Sequence, residues 1–347
     1  MEKKTDCLGE RRTPVEKILR LVNRSMANIF RKIRSWKRQK NMADRIQKRT
    51  NRQKSFSGIS SIILLPGFLS IFLFVSACSP GSSGDIELRV MTYNVRFDNP
   101  GDGQNAWVFR REAAATLVRG LSADLIGTQE MLKNQLDDFL ERLPDYGYVG
   151  VGREDGRTAG EYSAVFYRRD RFEVVESDTF WLSQTPEVPG SKGWDAACER
   201  IVTRAIFREK SSGLELIFFN THLDHVGQTA RRESARLLVE RISQLAEGRP
   251  VILSGDFNAP PGSEPIRVIL DSGFLSDSRS LAGTVTGPDW SFHGFGLLPE
   301  EQRQLIDFVF VSRHFRVLEY RNIFERVNNT YHSDHNPVLV KLEINRR

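Results

Sequence analysis

Seven short polar motifs stand out in this 347-residue chain, each at the edge of an apolar run and each carrying a carboxylate, an imidazole or a carboxamide. They are Met91-Thr92-Tyr93-Asn94-Val95, Gly127-Thr128-Gln129-Glu130, Gly160-Glu161-Tyr162, Asn220-Thr221-His222-Leu223-Asp224-His225, Ser254-Gly255-Asp256-Phe257-Asn258, Leu305-Ile306-Asp307-Phe308 and His332-Ser333-Asp334-His335-Asn336-Pro337. Any one of them has an ordinary reading: an asparagine in a turn, a solvated glutamate, a structural histidine. Their recurrence argues otherwise. All six histidines follow residue 220, and four of them fall in two motifs. The chemistry these residue types suit is phosphoester hydrolysis. Carboxylate and carboxamide oxygens are the hard ligands that Mg²⁺ or Mn²⁺ prefers. Such an ion neutralises phosphoryl oxygens and the leaving oxygen. Imidazoles activate water or hold a phosphate oxygen, and each needs a carboxylate to fix its tautomer.

Elements that place motifs at strand ends are readable in the hydrophobic pattern. Strands are expected over 86–94, 125–129, 163–167, 201–208, 214–220, 251–253, 306–311 and 338–342. Helices are expected over 110–121, 134–143, where Pro144 stops the run, and 229–246, with Ala235, Leu238, Ile242 and Leu245 along one side. Strands interleaved with helices over some 260 residues imply an α/β fold with a buried sheet core. Polar motifs just past the strand ends are where such a fold carries its site.

The order Asn94, Glu130, His222, Gly255-Asp256-Phe257-Asn258, Asp307, Ser333-Asp334-His335 resembles the endonuclease/exonuclease/phosphatase superfamily over residues 88–342. The resemblance implies a four-layer sandwich, two packed mixed β-sheets flanked by helices, and a metal-dependent phosphoesterase. It implies Glu130 as principal metal ligand with Asn94 its neighbour, and Asp334 as a further ligand or a supporting carboxylate. Asp256 and Asn258 would orient or deprotonate the attacking water. His335 would be the catalytic histidine oriented by Asp307, and His222 a second phosphate-facing histidine partnered by Glu161. Arg200 would touch the scissile phosphate. Asn99-Pro100-Gly101-Asp102-Gly103, Gly190–Asp195 and Phe292-His293-Gly294-Phe295 resemble a bacterial lipoprotein-type subgroup. A 3′–5′ exonuclease of the nocturnin/deadenylase type on short nucleic acid stays open beside a phosphodiesterase or phosphatase. A phosphate-ligand binding module without catalysis is a third reading, though it would have no use for two histidine–carboxylate pairs.

Charge separates the chain into unlike parts. Residues 1–58 hold 18 Lys/Arg and 5 Asp/Glu, whereas the remainder holds 32 and 39. The overall +6 therefore comes from the leader, and the acidic remainder speaks against binding long nucleic acid, which leans on many basic contacts to phosphate. A small phosphoester or a short oligonucleotide fits better, with Trp107, Trp181, Trp194, Trp290 and His293 as candidate stacking surfaces; at least half of the tryptophans are expected to be packing residues instead. Residues 59–77 run without a charge and end in Val75-Ser76-Ala77-Cys78, which resembles a bacterial lipobox, followed by the linker residues 79–85. The expected organisation is a basic leader (1–58), an apolar signal/lipobox segment (59–78) lipidated at Cys78, a linker (79–85) and a catalytic domain (86–347). An uncleaved anchor is the rival, and both put the domain outside the cytoplasm, attached to a membrane. Met42 is an alternative start. Cys7, Cys78 and Cys198 build no disulfide framework, and no obligate protein partner is evident.

Overall fold

A computed structural model describes residues 86–344; the leader, the apolar segment with Cys78 and the linker lie outside the described residues. The strands are β1 (Ile86–Asn94), β2 (Leu125–Gln129), β3 (Tyr146–Val149), β4 (Val165–Arg168), β5 (Phe172–Trp181), β6 (Ile201–Glu209), β7 (Glu215–His222), β8 (Val251–Asp256), β9 (Ser276–Asp277), β10 (Thr284–Thr286), β11 (Asp307–Val311), β12 (Phe315–Asn322) and β13 (Val338–Ile344). Four helices of eight or more residues accompany them: α1 (Trp107–Leu121), α2 (Lys133–Arg142), α3 (Gln228–Leu245) and α4 (Glu264–Asp271). The strands form a seven-stranded sheet in the order β10-β12-β13-β1-β2-β4-β3 and a six-stranded sheet in the order β5-β6-β7-β8-β11-β9.

Burial explains the layering. Central strands read as nearly unbroken apolar runs because both of their faces are covered. Val90, Leu125 and Val340 of one sheet meet Phe218, Ile252 and Val309 of the other. On the outer face of the first sheet, Met91, Ile126 and Phe166 pack against Ala114 and Val118 of α1 and Phe139 of α2. On the outer face of the second, Ile217, Phe219 and Leu253 pack against Leu238 and Ile242 of α3 and Ile266 of α4. The result is helix, sheet, sheet, helix: the expected sandwich.

The expected strands and helices over 86–342 are all present, with bounds shifted by a few residues. The shifts matter at two places, since β7 runs on to His222 and β8 to Asp256, making site residues the last residues of strands. Five strands and one helix escape the sequence pattern. β5 lies at a sheet edge with half of its residues exposed, and its middle, Glu176–Thr179, is polar, so no continuous apolar run marks it. β12 carries a register shift between Val317 and Glu319 that breaks its alternation. β3, β9 and β10 are too short to register, and α4 has eight residues with Pro265 in its first turn.

Between the sheets sits a polar clasp amid apolar packing. Asn220 of β7 is fully buried. Its Nδ2 donates to the carbonyls of Thr128 (2.8 Å) and Ala164 (3.0 Å) in the opposite sheet. Its Oδ1 accepts from Gln129 Nε2 (2.8 Å) and Ser254 Oγ (3.0 Å). Gly127 makes room for it: a Cβ there would lie 2.1 Å from Ser254 Oγ and 2.4 Å from Asn220 Oδ1. Losing a buried amide strands its partners, at a cost of about 1–3 kcal/mol for each unsatisfied group. Asn220→Ala is therefore expected to lower unfolding free energy by about 3 kcal/mol or more. Equilibrium urea denaturation measures it, and an unchanged midpoint would show that the clasp is dispensable.

Candidate active site

The site residues come from one end of the sandwich because of strand direction and register. β7 and β8 are parallel and β11 is antiparallel to β8, so the ends of the first two meet the start of the third. Cα pairing puts His222 beside Asp256 and Asp256 beside Asp307, a row of three polar residues across adjacent strands. In the facing sheet β1 and β2 are parallel, and Asn94 pairs with Gln129. The next residue, Glu130, has φ 64°, as Asn258 has φ 46° and Arg96 φ 58°. These are left-handed conformations that non-glycine residues adopt at a cost of about 1–3 kcal/mol, and they gather at functional sites. Here each sits on the chain just beyond a strand and re-aims a side chain that would otherwise continue the pleat.

The geometry has two imidazoles around one buried carboxylate. His335 Nδ1 lies 2.8 Å from Asp307 Oδ2, and its Nε2 3.8 Å from Asp256 Oδ2. On the other side His222 Nε2 lies 3.6 Å from Asp256 Oδ2. Asn258 completes a bracket: its backbone N–H donates to Asp256 Oδ1 (2.9 Å), and its side-chain Nδ2 lies 3.0 Å from His222 Nε2 and donates to the Leu223 carbonyl. With Nδ2 as donor to Nε2, the ring proton of His222 rests on Nδ1.

Environment drives the two imidazoles apart. For His222, burial, then Arg200 and Arg153, hold the pKa well below the usual histidine value, so the ring is neutral. For His335 burial pulls the same way, but the Asp307 carboxylate, joined by Asp256 and Asp334, outweighs it and the pKa rises to about 10. Asp256 is pushed up to about 7, first by burial and then by Asp307. Asp334 is also raised, by burial and by the nearby Glu130.

Not every expected residue takes its expected place. Asn94, expected beside Glu130 in the metal site, donates through Nδ2 to Glu130 Oε1 and to Asp256 Oδ2, both at 2.9 Å. Its Oδ1 is turned away to accept from the Arg96 N–H (2.9 Å), so Asn94 orients carboxylates here and presents no oxygen to them. Glu161 is not hydrogen-bonded to His222: its Oε2 stands 3.9 Å from Nδ1 and is taken at 2.7 Å by Arg153. Arg200 is pinned by Asp224 (3.3 Å) and His225 (2.9 Å), and its buried Nη1 has no protein partner among the described residues. None of the four tryptophans among the described residues lines the cleft. Trp107, Trp181 and Trp290 are buried by packing, and His293 is buried against Trp290, Phe324 and Tyr331.

A cleft of about 680 Å³ opens over these groups. Its walls include residues that no motif flagged: Arg96, Phe97, Arg153, Arg231, Gln302 and Gln304. His225 and Phe292 lay inside quoted motifs without being assigned a role. Donor atoms of Glu130, His222 and Asp256 fall within 4.8 Å of one another, as do those of Asp256, Asp307 and His335. Asp334 lines the same cleft beside Glu130 but outside these two groups. Oxygen-rich donors, together with buried carboxylates that repel one another, suit a hard divalent cation.

The profile of the Endonuclease/Exonuclease/phosphatase family matches residues 91–335. The crystal structure of an endonuclease/exonuclease/phosphatase from Bacteroides vulgatus is 42% identical, with a TM-score of 0.73, and the match covers 75% of this chain and 99% of that one. The mannosyl-6-phosphatase of Bacteroides thetaiotaomicron is 40% identical with a TM-score of 0.70, over 74% of this chain and 99% of its own. Nocturnin of Drosophila melanogaster is 29% identical over 213 residues, 54% of this chain and 31% of that protein. The chain spans about a third of the length of the curated relatives it matches. The human Nocturnin catalytic domain, 19% identical with a TM-score of 0.60, shares the fold. With an aligned core from the first strand to His335 and the same sandwich in its relatives, this chain is a phosphoester hydrolase that belongs to the metal-dependent endonuclease/exonuclease/phosphatase family.

Proposed function

We propose that the chain is an exported, membrane-attached phosphatase that uses Mg²⁺ or Mn²⁺ to hydrolyse the phosphate ester of a small sugar. The observation that carries the hydrolytic part is the row His222–Asp256–Asp307 with Glu130 facing it from the other sheet. The sugar part is supported by the mannosyl-6-phosphatase, matched over nearly all of its length. An acidic domain with a cleft of limited volume fits a small substrate better than a polymer.

Each residue's part follows from its surroundings. Glu130 and Asp334 are the residues we assign to the ion. When bound, the ion supplies positive charge to the phosphoryl and leaving oxygens. Asp256, steadied by the Asn258 N–H and by Asn94, holds the attacking water and accepts its proton; a carboxylate raised to about 7 is matched to that task. His335, kept protonated by Asp307, donates a hydrogen bond to a phosphoryl oxygen. Neutral His222 and the unpartnered Arg200 Nη1 complete the phosphate cradle. Glu161 restrains Arg153 beside them.

Four outcomes test this reading. Glu130→Gln should abolish metal-dependent turnover of mannose 6-phosphate and of bis(p-nitrophenyl) phosphate while the fold survives. Calorimetric Mg²⁺ or Mn²⁺ binding at wild-type strength would refute the assignment of Glu130 to the ion.

Asp307→Asn should lower the His335 pKa, because burial then meets only the pull of Asp256 and Asp334, as NMR titration would read. Because the folded value of about 10 exceeds the unfolded one, the pair's stabilisation is complete below about pH 6.5 and fades as pH rises through 10. His335→Ala should cost about 10²–10⁴ in kcat. Adding Asp307→Ala should cost little more if Asp307 acts through His335, and additive losses would show independent roles.

Delivery rests on Val75-Ser76-Ala77-Cys78 behind an uncharged run. Cys78→Ser should block acylation and leave a longer precursor. Intact mass of the membrane fraction decides it, since wild-type Cys78 still joined to Ala77 and unmodified would rule lipidation out. One acyl chain anchors marginally and two or more anchor stably.

A further inference from the structure

The cleft has unlike sides, and strand order dictates which is which. Along the second sheet the sequence is β6, β7, β8, β11. Arg200 precedes β6, and His222 and His225 end or follow β7, so basic groups collect on that side of Asp256, with Arg153 and Arg231 joining them. On the other side of Asp256, Ile306 stands just ahead of β11, and Phe292, Gln302 and Gln304 stand beside it, an apolar and neutral-amide wall.

This neutral wall is built rather than incidental. Phe292 is bridged by backbone pairing both to Gln304 and to His335. The Gln304 carbonyl accepts from the N–H groups of Ser291 (2.8 Å) and Phe292 (3.0 Å). The turn before it is closed by Gln302 N–H to the Pro299 carbonyl (3.0 Å), and the Arg303 guanidinium lies over the Trp290 ring at 4.4 Å. The Phe292 ring sits 4.9 Å from the His335 ring, so the wall begins where the phosphate's hydrogen-bond donor ends. Both glutamines are nevertheless exposed and line the cleft.

We infer that Phe292, Gln302 and Gln304 form the subsite for the leaving alcohol and that this alcohol is a pyranose. The inference rests on the phosphatase reading above and adds where the sugar lies. A phosphate ester has an anionic half and a neutral half. The anionic half belongs with the arginines and the carboxylate-held ion. The neutral half is left with the wall that carries no charge. A pyranose has an apolar C–H face that packs on an aromatic ring and a rim of hydroxyls that both donate and accept. A carboxamide also both donates and accepts, which is why two of them suit adjacent hydroxyls. A nucleobase leaving group or an acyl chain would not use this combination of one ring edge and two amides in the same way, and charged leaving groups would be served by the opposite side.

The test uses the purified full-length chain with Mn²⁺ and two phosphomonoesters, mannose 6-phosphate and p-nitrophenyl phosphate. The double variant Gln302→Leu/Gln304→Leu is compared with wild type through the ratio of kcat/KM for the sugar ester over that for the aryl ester. The expected result is a fall in this ratio of about tenfold or more, borne mainly by KM for the sugar ester. An unchanged ratio overturns the subsite. Conservative Gln304→Asn and Gln302→Asn variants guard against misfolding: an equal loss on both esters in these as well would mark the wall as structural and also overturn it. Wild-type protein that turns over p-nitrophenyl phosphate but no hexose phosphate, or that prefers a ribonucleoside monophosphate, overturns the sugar reading itself. That failure is visible before any variant is made.

Discussion

The hydrogen bonds of Asn220 hold the two sheets at the separation on which the site depends. Glu130 and Asn94 belong to one sheet, and Asp256, His222 and Asp307 to the other. Apolar packing between sheets is tolerant of small slips, because burial is nearly isotropic. A carboxamide that must satisfy two carbonyls and two donors at once is not tolerant. It reaches Thr128, two residues before Glu130, and touches Ser254, two residues before Asp256. The clasp therefore lies directly beneath the carboxylates it spaces, and Gly127 is required there because any side chain would occupy the place of the amide.

That spacing sets the electrostatics. Asp256 is nearly solvent-free and shares its surroundings with Asp307. Two buried carboxylates so placed are costly unless something positive offsets them. His335 offsets one of them, since its Nδ1 is committed to Asp307, and Asn94 shares its amide between Glu130 and Asp256. What is left over is negative charge on hard oxygen donors, which makes the cavity receptive to a divalent ion and, through that ion, to phosphate.

Much of this was legible in sequence, and the illegible parts share a cause. Strand ends were readable to within a few residues because a covered strand is largely apolar: His222 and Asp256 follow two and three residues after the apolar runs give way at Asn220 and after Leu253, and Asp307 opens the run of β11. Glu130 was readable as the carboxylate after Gln129. The cleft walls were not, because Arg153, Gln302 and Gln304 lie in turns and loops whose course is set by tertiary contacts rather than periodicity, and Arg231, in the first turn of α3, belongs to no motif. Their residue types are also ordinary for an exposed surface. The direction of an amide is equally invisible: nothing in Asn94-Val95-Arg96 says that the left-handed Arg96 will turn its N–H back to the Asn94 oxygen.

The two histidines show how far the residue pattern alone can mislead about chemistry. Read as motifs they look alike, each an imidazole awaiting a carboxylate. In the fold Asp307 is buried at hydrogen-bond distance from His335, while Glu161 gives its Oε2 to Arg153 and leaves His222 Nδ1 without a protein partner among the described residues. One ring is consequently a cation and the other neutral on either side of the same carboxylate. Pairs of titratable groups whose environments push their pKa values apart are what acid–base chemistry at neutral pH requires. The asymmetry arises from burial, which both rings share, set against a carboxylate bond that only His335 has; around His222 the neighbours are Arg200 and Arg153, and Glu161 is held by the guanidinium, which forms the stronger bond to a carboxylate.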